Sequence, residues 1–362
     1  MKTKKLLYVL AMTAIAIGHA IVANAQSGGV YEIQKSVVAN GGGRVTGGAF
    51  VLESTAGQTA AGVQGDGGNY KILSGFWASG SSTVTTRKTP FDFDGDGKSD
   101  IGVFRSVGAE WWYQRSSNAQ VAALQFGVST DKIAPVDFTG DGKTDIAFWR
   151  PSTGTWYVLR SEDNSYYAVP FGTNGDIPAP ADFDGEAKAD LAVFRPSTST
   201  WYISNSTGGN TITQFGVAGD LPAVADYDGD GKADIAIYRP GAGQWWINRS
   251  SAGLLALQFG TAADKVVAGD YTGDGKADVA FWRPSNGNWY DIRSENASFY
   301  AFPFGANGDI PAPGDYDGDG KFDATVFRPA AATWFVGKTT GGTQIIQFGL
   351  NGDKPVASAF IP

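Results

Sequence analysis

One nine-residue acidic loop occurs six times in this chain of 362 residues, and it constrains the fold more than any other feature. Its form is Asp, an aromatic residue, Asp or Thr, Gly, an acidic residue, Gly, Lys, a variable residue and Asp. The copies begin 44 or 45 residues apart, a period typical of architectures that repeat one small unit. The copies begin at Asp92, Asp137, Asp182, Asp226, Asp270 and Asp315.

Each repeat contains four short segments with the pattern of β-strands. In the second copy they are Pro135–Phe138, Asp145–Arg150, Trp156–Arg160 and Tyr167–Gly172, separated by turns rich in Gly, Pro, Ser and Asp. No segment has a clear helical period. Four strands in about 45 residues is the proportion of a propeller blade. We therefore predict an all-β fold, a β-propeller of six four-stranded repeats.

The N-terminus has the composition of an export signal. Lysines precede an apolar run from Leu6 to Ala23, and small residues up to Ala25 suit cleavage before Gln26. We predict that residues 1–25 are a signal peptide and that the mature chain is secreted, periplasmic or on the cell surface, without membrane insertion. An uncleaved anchor is the alternative.

Between the signal and the repeats lie two further segments. Residues 26–80 are Gly-rich and residues 81–89 have the Ser/Thr-rich composition of a linker, so the propeller is residues 90–362. The last residues, Pro355–Phe360, resemble a further first strand. This strand either closes six blades beside Pro90–Phe93 or joins the N-terminal segment in a seventh, composite blade. The strand-like runs of that segment are Tyr31–Val38, Ala49–Ser54 and Tyr70–Trp77.

The composition excludes several kinds of chemistry. Cysteine is absent, and His19, Met1 and Met12 all lie in the predicted signal, so the mature chain has no His, Met or Cys. Ser-His-Asp and Cys-His catalysis are excluded, as are zinc sites built from histidine or thiolate. Acid–base work by carboxylates remains possible, but the acidic loops are spread evenly over the repeats. We predict that the protein is not an enzyme.

The acidic residues are concentrated in the loops. Of 36 acidic residues, 22 lie in the six loops, and the whole chain carries 28 basic residues. Such crowded carboxylates repel one another unless cations bind between them. No basic groove is evident, so nucleic acid is not an expected partner.

The spacing of oxygen donors within each loop predicts calcium. Positions 1, 3, 5 and 9 supply side-chain oxygen, position 7 supplies a backbone carbonyl, and the glycines let the chain bend round an ion. The alternative is that the loops are only acidic turns. In the three loops with four aspartates the predicted ligands are Asp92, Asp94, Asp96, Lys98, Asp100; Asp226, Asp228, Asp230, Lys232, Asp234; and Asp315, Asp317, Asp319, Lys321, Asp323.

The other three loops are expected to bind more weakly. Two have neutral threonine at position 3, and the third has Glu186 at position 5 and Ala187 in place of the second glycine. We predict up to six calcium sites, with the one at Asp182 weak or empty. The corresponding ligands are Asp137, Thr139, Asp141, Lys143, Asp145; Asp270, Thr272, Asp274, Lys276, Asp278; and Asp182, Asp184, Glu186, Asp190.

A Phe-Gly pair also recurs once in every repeat. Together with the acidic loops, these pairs resemble the VCBS/FG-GAP repeats of calcium-binding β-propellers such as the integrin α-subunit head. The resemblance covers residues 90–362 and implies that each loop joins the first two strands of a blade, where calcium makes it rigid. The pairs are Phe126-Gly127, Phe171-Gly172, Phe215-Gly216, Phe259-Gly260, Phe304-Gly305 and Phe348-Gly349.

Each repeat also has an arginine followed by a tryptophan. The large rings either fill the wedge between neighbouring blades, with the arginines stacked on them, or form shelves that bind sugars. Presence in all six repeats favours packing. The residues are Arg105, Arg150, Arg195, Arg239, Arg283, Arg328 and Trp111, Trp156, Trp201, Trp245, Trp289, Trp334.

These features together predict an exported, calcium-binding scaffold for binding or adhesion at the cell envelope or outside the cell. The expected partner is an extracellular protein or a polysaccharide, and we expect a monomer. A glycan-binding lectin is the first alternative. A polysaccharide-active lyase is the second.

Overall fold

The computed structural model describes residues 89–361, together with the backbone of four short strands nearer the N-terminus. The chain forms two compact units, Met1–Val84 and Thr85–Pro362. In the first unit, two antiparallel pairs are described, Gly42–Gly47 with Phe50–Thr55 and Gly65–Gly67 with Tyr70–Ile72. The second and third predicted N-terminal runs overlap these strands. The predicted signal, the run Tyr31–Val38 and most of the linker lie outside the described residues.

The second unit is a six-bladed β-propeller. Each blade is an antiparallel sheet of four strands, and helix in the described part is limited to two short 3-10 turns, Pro329–Ala331 and Val356–Ser358. The first strands of blades 1 to 6 are Lys354–Pro355, Lys132–Ile133, Ile177–Pro178, Leu221–Pro222, Lys265–Val266 and Ile310–Pro311. The second strands are Ile101–Arg105, Ile146–Arg150, Leu191–Arg195, Ile235–Arg239, Val279–Arg283 and Ala324–Arg328.

The other two strands complete each blade. The third strands are Glu110–Gln114, Thr155–Leu159, Thr200–Ser204, Gln244–Arg249, Asn288–Ile292 and Thr333–Gly337. The fourth strands are Val121–Gln125, Tyr166–Pro170, Asn210–Gln214, Gly253–Gln258, Phe299–Pro303 and Thr343–Gln347. Burial explains the composition of the second, third and fourth strands. Second strands are almost wholly buried and apolar, third strands alternate, and fourth strands expose one face as edge strands do.

The ring is closed by the C-terminus, which supplies the first strand of blade 1. Lys354 pairs with Phe104 and Pro355 with Val103. Six blades are therefore confirmed, but the predicted partner Pro90–Phe93 is wrong, because the terminal strand pairs with Ile101–Arg105. The predicted strand Pro355–Phe360 is also too long, since the chain turns into 3-10 geometry from Val356.

The first strand in the other blades is shorter and earlier than predicted. In blade 2 it is Lys132–Ile133, and the predicted segment Pro135–Phe138 contributes only a single bridge between Val136 and Asp145. Pro135 has no backbone N–H, so it cannot extend the ladder. The three later strands of this blade lie within two residues of the predicted bounds.

The recurring tryptophans pack the wedge between blades. Trp156, for example, is fully buried and packs with Trp149 of its own blade and with Ala189 and Val193 of blade 3. In all six blades its indole N–H donates to the carbonyl of the Phe-Gly phenylalanine, at 2.7 to 3.2 Å. The six rings are at most 2% exposed, so a sugar cannot stack on them in this structure.

Each recurring arginine forms an ion pair that sequence reasoning missed. Arg150 donates from Nε and Nη2 to the two carboxylate oxygens of Asp131, at 2.9 and 2.8 Å, and its guanidinium lies 4.7 Å from the ring of Tyr157. The aspartate stands five residues after the Phe of each Phe-Gly pair, where the sequence is typical of an ordinary turn. The pairs are Asp353–Arg105, Asp131–Arg150, Asp176–Arg195, Asp220–Arg239, Asp264–Arg283 and Asp309–Arg328.

The pair between Asp353 and Arg105 provides a test of ring closure, because it joins the C-terminus to blade 1. The side chain of Asp353 is 2% exposed and that of Arg105 is 25% exposed. Asp353→Asn should therefore lower the free energy of unfolding by about 2 kcal/mol, less than for a fully buried pair. Lys354→Gln, at the exposed neighbouring residue, should stay within about 0.5 kcal/mol of the parent. Urea denaturation of both variants checks this, and equal stability of the two would contradict the closure.

Candidate metal centre

The acidic loops lie where the resemblance placed them. In blades 2 to 6 each loop joins the first strand to the second, and in blade 1 it leads directly into the second strand. Position 1 organises the bend. In blade 4, the carboxylate of Asp226 accepts hydrogen bonds from the backbone N–H groups of Gly229 at 2.6 Å and Gly231 at 2.9 Å. The same two positions donate to position 1 in every loop.

Position 9 ties the loop to the hairpin between the third and fourth strands. Asp234 accepts from the N–H of Tyr227 at 2.9 Å and from the N–H of Ser250, in that hairpin, at 2.7 Å. The group is only 1% exposed. Burial raises the pKa of its counterparts Asp100 and Asp323 to about 6, because a charged carboxylate loses its hydration there.

Positions 3 and 5 face two hydroxyl side chains of the same hairpin. In blade 4, Ser250 Oγ donates to Asp230 at 2.6 Å and Ser251 Oγ to Asp228 at 2.8 Å. Sequence reasoning missed these hairpin residues, although a signal exists: they stand 20 residues after position 5 and 23 residues after position 3 in this blade. The hairpin is therefore a second wall of the candidate site.

The predicted ligand side chains converge in four of the six loops. Three carboxylate oxygens in each of these loops lie within 4.8 Å of one another. The groups are Asp92, Asp94, Asp96; Asp182, Asp184, Asp190; Asp226, Asp228, Asp230; and Asp315, Asp317, Asp323. The two loops with threonine at position 3 do not form such a triad within the part of the chain that the structure describes.

Two carboxylate oxygens in these groups are buried without a hydrogen-bond partner. They are the Oδ1 atoms of Asp184 and Asp228, both at position 3. A buried carboxylate oxygen without a donor is costly unless a cation or another donor satisfies it. Carboxylate and carbonyl oxygens are the donors that calcium takes, so the residues present fit this ion.

The six loops are also joined to one another. The N–H at position 8 of each loop donates to the carbonyl at position 1 of the preceding loop, at 2.6 to 2.8 Å, and the series closes from Ser99 to Asp315. The lysine at position 7 takes part as well. The aliphatic chain of Lys143 lies over Gly95 of the preceding loop so closely that a Cβ on Gly95 would come within 3.0 Å of it. Six separate loops thus form one continuous ring.

The third loop keeps the backbone of its siblings despite its changed sequence. Ala187 adopts φ 72°, close to the 85° of Gly97 and Gly231 at the same position. Asp182 still accepts N–H groups from positions 4 and 6, and Glu186 accepts from Ser206 Oγ. The expectation that this loop binds calcium weakly stays a prediction. This loop differs from the others in the backbone strain at Ala187, because alanine rarely adopts positive φ.

Comparison with known proteins identifies the repeat. A model described as FG-GAP-like repeat matches residues 92–148, 137–193, 182–237 and 226–281. No curated protein matches the chain. Among the described residues, no helix has the length and hydropathy needed to span a membrane.

Several solved structures are similar to part of this chain. A streptogramin B lyase is 12% identical with a TM-score of 0.46, over 69% of this chain and 83% of that one. The virginiamycin B lyase from Staphylococcus aureus is 8% identical with a TM-score of 0.44, over 72% and 87%. A lectin from Agrocybe aegerita that recognises non-reducing terminal N-acetylglucosamine is 17% identical with a TM-score of 0.44, over 71% and 89%. At these values none of the three carries an argument about function.

The strain at Ala187 can be measured. Ala187→Gly should raise the free energy of unfolding by about 1 kcal/mol, because glycine adopts positive φ without steric cost. Gly231→Ala should lower it by a similar amount, since a Cβ there meets no atom within 4 Å and only the backbone conformation is penalised. Chemical denaturation in the presence of a chelator compares the two variants with the parent. Changes of the same sign in both variants would contradict this explanation.

Proposed function

The chain belongs to the FG-GAP-like repeat family, and on this basis we propose that it is an exported, calcium-binding β-propeller that serves as a rigid scaffold for binding or adhesion. The observation that carries the proposal is the convergence of three carboxylate oxygens in four loops, with the buried Oδ1 atoms of Asp184 and Asp228 lacking hydrogen-bond donors. A divalent cation would satisfy these oxygens and reduce the repulsion between the carboxylates.

The loop residues and the hairpin residues would have different roles in holding the ion. The side-chain oxygens at positions 1, 3, 5 and 9 and the backbone carbonyl at position 7 would bind it, and the hydroxyl groups of the hairpin orient positions 3 and 5. When bound, calcium would supply positive charge that holds the loop oxygens in a fixed arrangement. Calcium is favoured over magnesium, because a flexible loop of many oxygen donors suits the larger ion, whereas magnesium retains its waters.

Because the loops are hydrogen-bonded into one ring, an ordered loop stabilises its neighbours. Position 1 contributes its carboxylate to its own site and its backbone carbonyl to the next loop, as Asp226 does toward Ala277 at 2.6 Å. The scaffold would therefore be most rigid at the calcium concentrations found outside cells. The absence of cysteine fits this role for cations, since disulfides cannot stabilise the chain.

The partner we propose is an extracellular protein or a polysaccharide, bound by the outer surface of the blades. The fourth strands expose apolar side chains, of which Tyr166, Phe299 and Ile345 are 63 to 67% exposed, and burial of these against a partner would be favourable. A lectin that stacks sugars on the recurring tryptophans is disfavoured, because those rings are buried. We assign no catalytic step, since the acidic groups repeat from blade to blade instead of marking one site.

Thermal melting with calcium and with chelator tests the proposal. Calcium at 100 times the dissociation constant should add about 2.7 kcal/mol for each occupied site, and magnesium at the same concentration should add less. Asp228→Asn should reduce the gain, because it removes one charged ligand, and Asp94→Asn and Asp317→Asn should act alike.

The matched control is Asp163→Asn, an exposed acid outside the loops. Its calcium gain should equal that of the parent. Identical melting of the parent with calcium and with chelator would reject calcium binding.

A further inference from the structure

A second position in each blade varies together with position 3 of the loop. In four blades position 3 is aspartate, and the hairpin residue 23 places later is serine or threonine, whose hydroxyl group donates to the carboxylate at 2.5 to 2.8 Å. The pairs are Asp94–Ser117, Asp184–Thr207, Asp228–Ser251 and Asp317–Thr340. The two side chains thus meet at one point of the site.

In blades 2 and 5 the two chemical groups are exchanged. Position 3 is threonine, Thr139 or Thr272, and the residue 23 places later is glutamate, Glu162 or Glu295. Each blade therefore has one carboxylate and one hydroxyl group at this pair of positions. The nine loop positions and this one hairpin position together carry four acidic side chains in every blade.

The hairpins of blades 2 and 5 are held against their loops in the same way as the others. Ser161, which precedes Glu162, donates its N–H to Asp145 at 2.7 Å and its hydroxyl group to Asp141 at 2.9 Å. Ser294, which precedes Glu295, donates its N–H to Asp278 at 2.6 Å. Each glutamate thus follows a serine that is bonded to the loop, in the hairpin position that Ser251 occupies in blade 4.

In two of the four aspartate loops, position 3 also has a carboxylate oxygen without a donor, whereas Asp94 and Asp317 accept a weak bond from the N–H at position 5. The buried, unpartnered oxygens of Asp184 and Asp228 belong to this position, so a cation bound in those loops would satisfy them. The hairpin residue reaches the site across the side chain at position 3, to which its hydroxyl group donates. A ligand that starts there needs a longer side chain than aspartate, and glutamate supplies one more methylene group.

We propose that Glu162 and Glu295 supply the missing carboxylate ligand to the cation sites of blades 2 and 5, a proposal that rests on the calcium binding proposed above. Both side chains are exposed, and Glu295 Oε1 lies 3.9 Å from Arg293 Nη1, so that weak ion pair is exchanged for the ion. The two threonine loops then bind calcium with the same acidic charge as the other loops.

Calcium titration of the full chain by calorimetry, after removal of metal, tests this. In the double variant Glu162→Gln and Glu295→Gln, two of the sites should bind about tenfold more weakly or lose calcium, and the others should be unchanged. Moving the carboxylate back to the loop, with Thr139→Asp plus Glu162→Ser and Thr272→Asp plus Glu295→Ser, should restore the affinity. Asp163→Asn, in the same hairpin as Glu162, is the matched control and should leave all sites unchanged.

The outcomes separate this inference from the proposed function. If the parent binds calcium and the double glutamine variant binds it equally well, the inference is overturned and the proposed function stands. If the parent binds no calcium, both are overturned. Melting of the double variant in chelator should match the parent, because the exposed glutamates have no part in packing; a loss of stability there would assign them a structural role instead and overturn the inference.

Discussion

Repulsion between carboxylates is the constraint on which the rest of this structure depends. Each loop places acidic groups close together, with oxygens within 4.8 Å in four blades. Two like charges about 4 Å apart repel by about 4 kcal/mol at an effective dielectric constant of about 20. Backbone N–H groups directed at positions 1 and 9 offset part of this repulsion. Burial works against them, and it raises the pKa of Asp100 and Asp323 to about 6.

The loops carry this charge while they also connect the blades. Their backbone groups form a closed ring of hydrogen bonds. Farther from the loops, the tryptophans pack between neighbouring sheets and the arginine–aspartate pairs join segments of each blade. A cation bound in one loop would therefore act on a structure that spans all six blades. The C-terminal strand makes the ring continuous, because it brings Asp353 to Arg105 and so repeats in blade 1 the ion pair of every other blade.

Most of the architecture could be predicted from the sequence because the repeat supplies six copies of one pattern. Strand order and the packing role of Trp156 follow from periodicity, whereas six rather than seven blades was decided by the pairing of Lys354–Pro355 with Ile101–Arg105. The first strand of blade 2 was predicted at Pro135–Phe138 instead of Lys132–Ile133. Two residues give no periodic signal, and the segment that follows them is more apolar. Asp131 was missed because an aspartate in a Gly- and Pro-rich stretch is typical of turns. Its pairing with Arg150, 19 residues away, depends on tertiary structure.

The candidate site was predicted in its loop and missed in its hairpin for a similar physical reason. Exposed hydroxyl residues such as Ser250 and Ser251 are common in turns, and only the fold brings them to the acidic loop. The central claim, that divalent cations neutralise six loops of one ring, is tested most directly by native mass spectrometry of the chain titrated with calcium after chelation. The account predicts uptake of five or six ions, with the site at Asp182 filled most weakly or left empty. A chain that takes up no calcium at saturating concentration would contradict it.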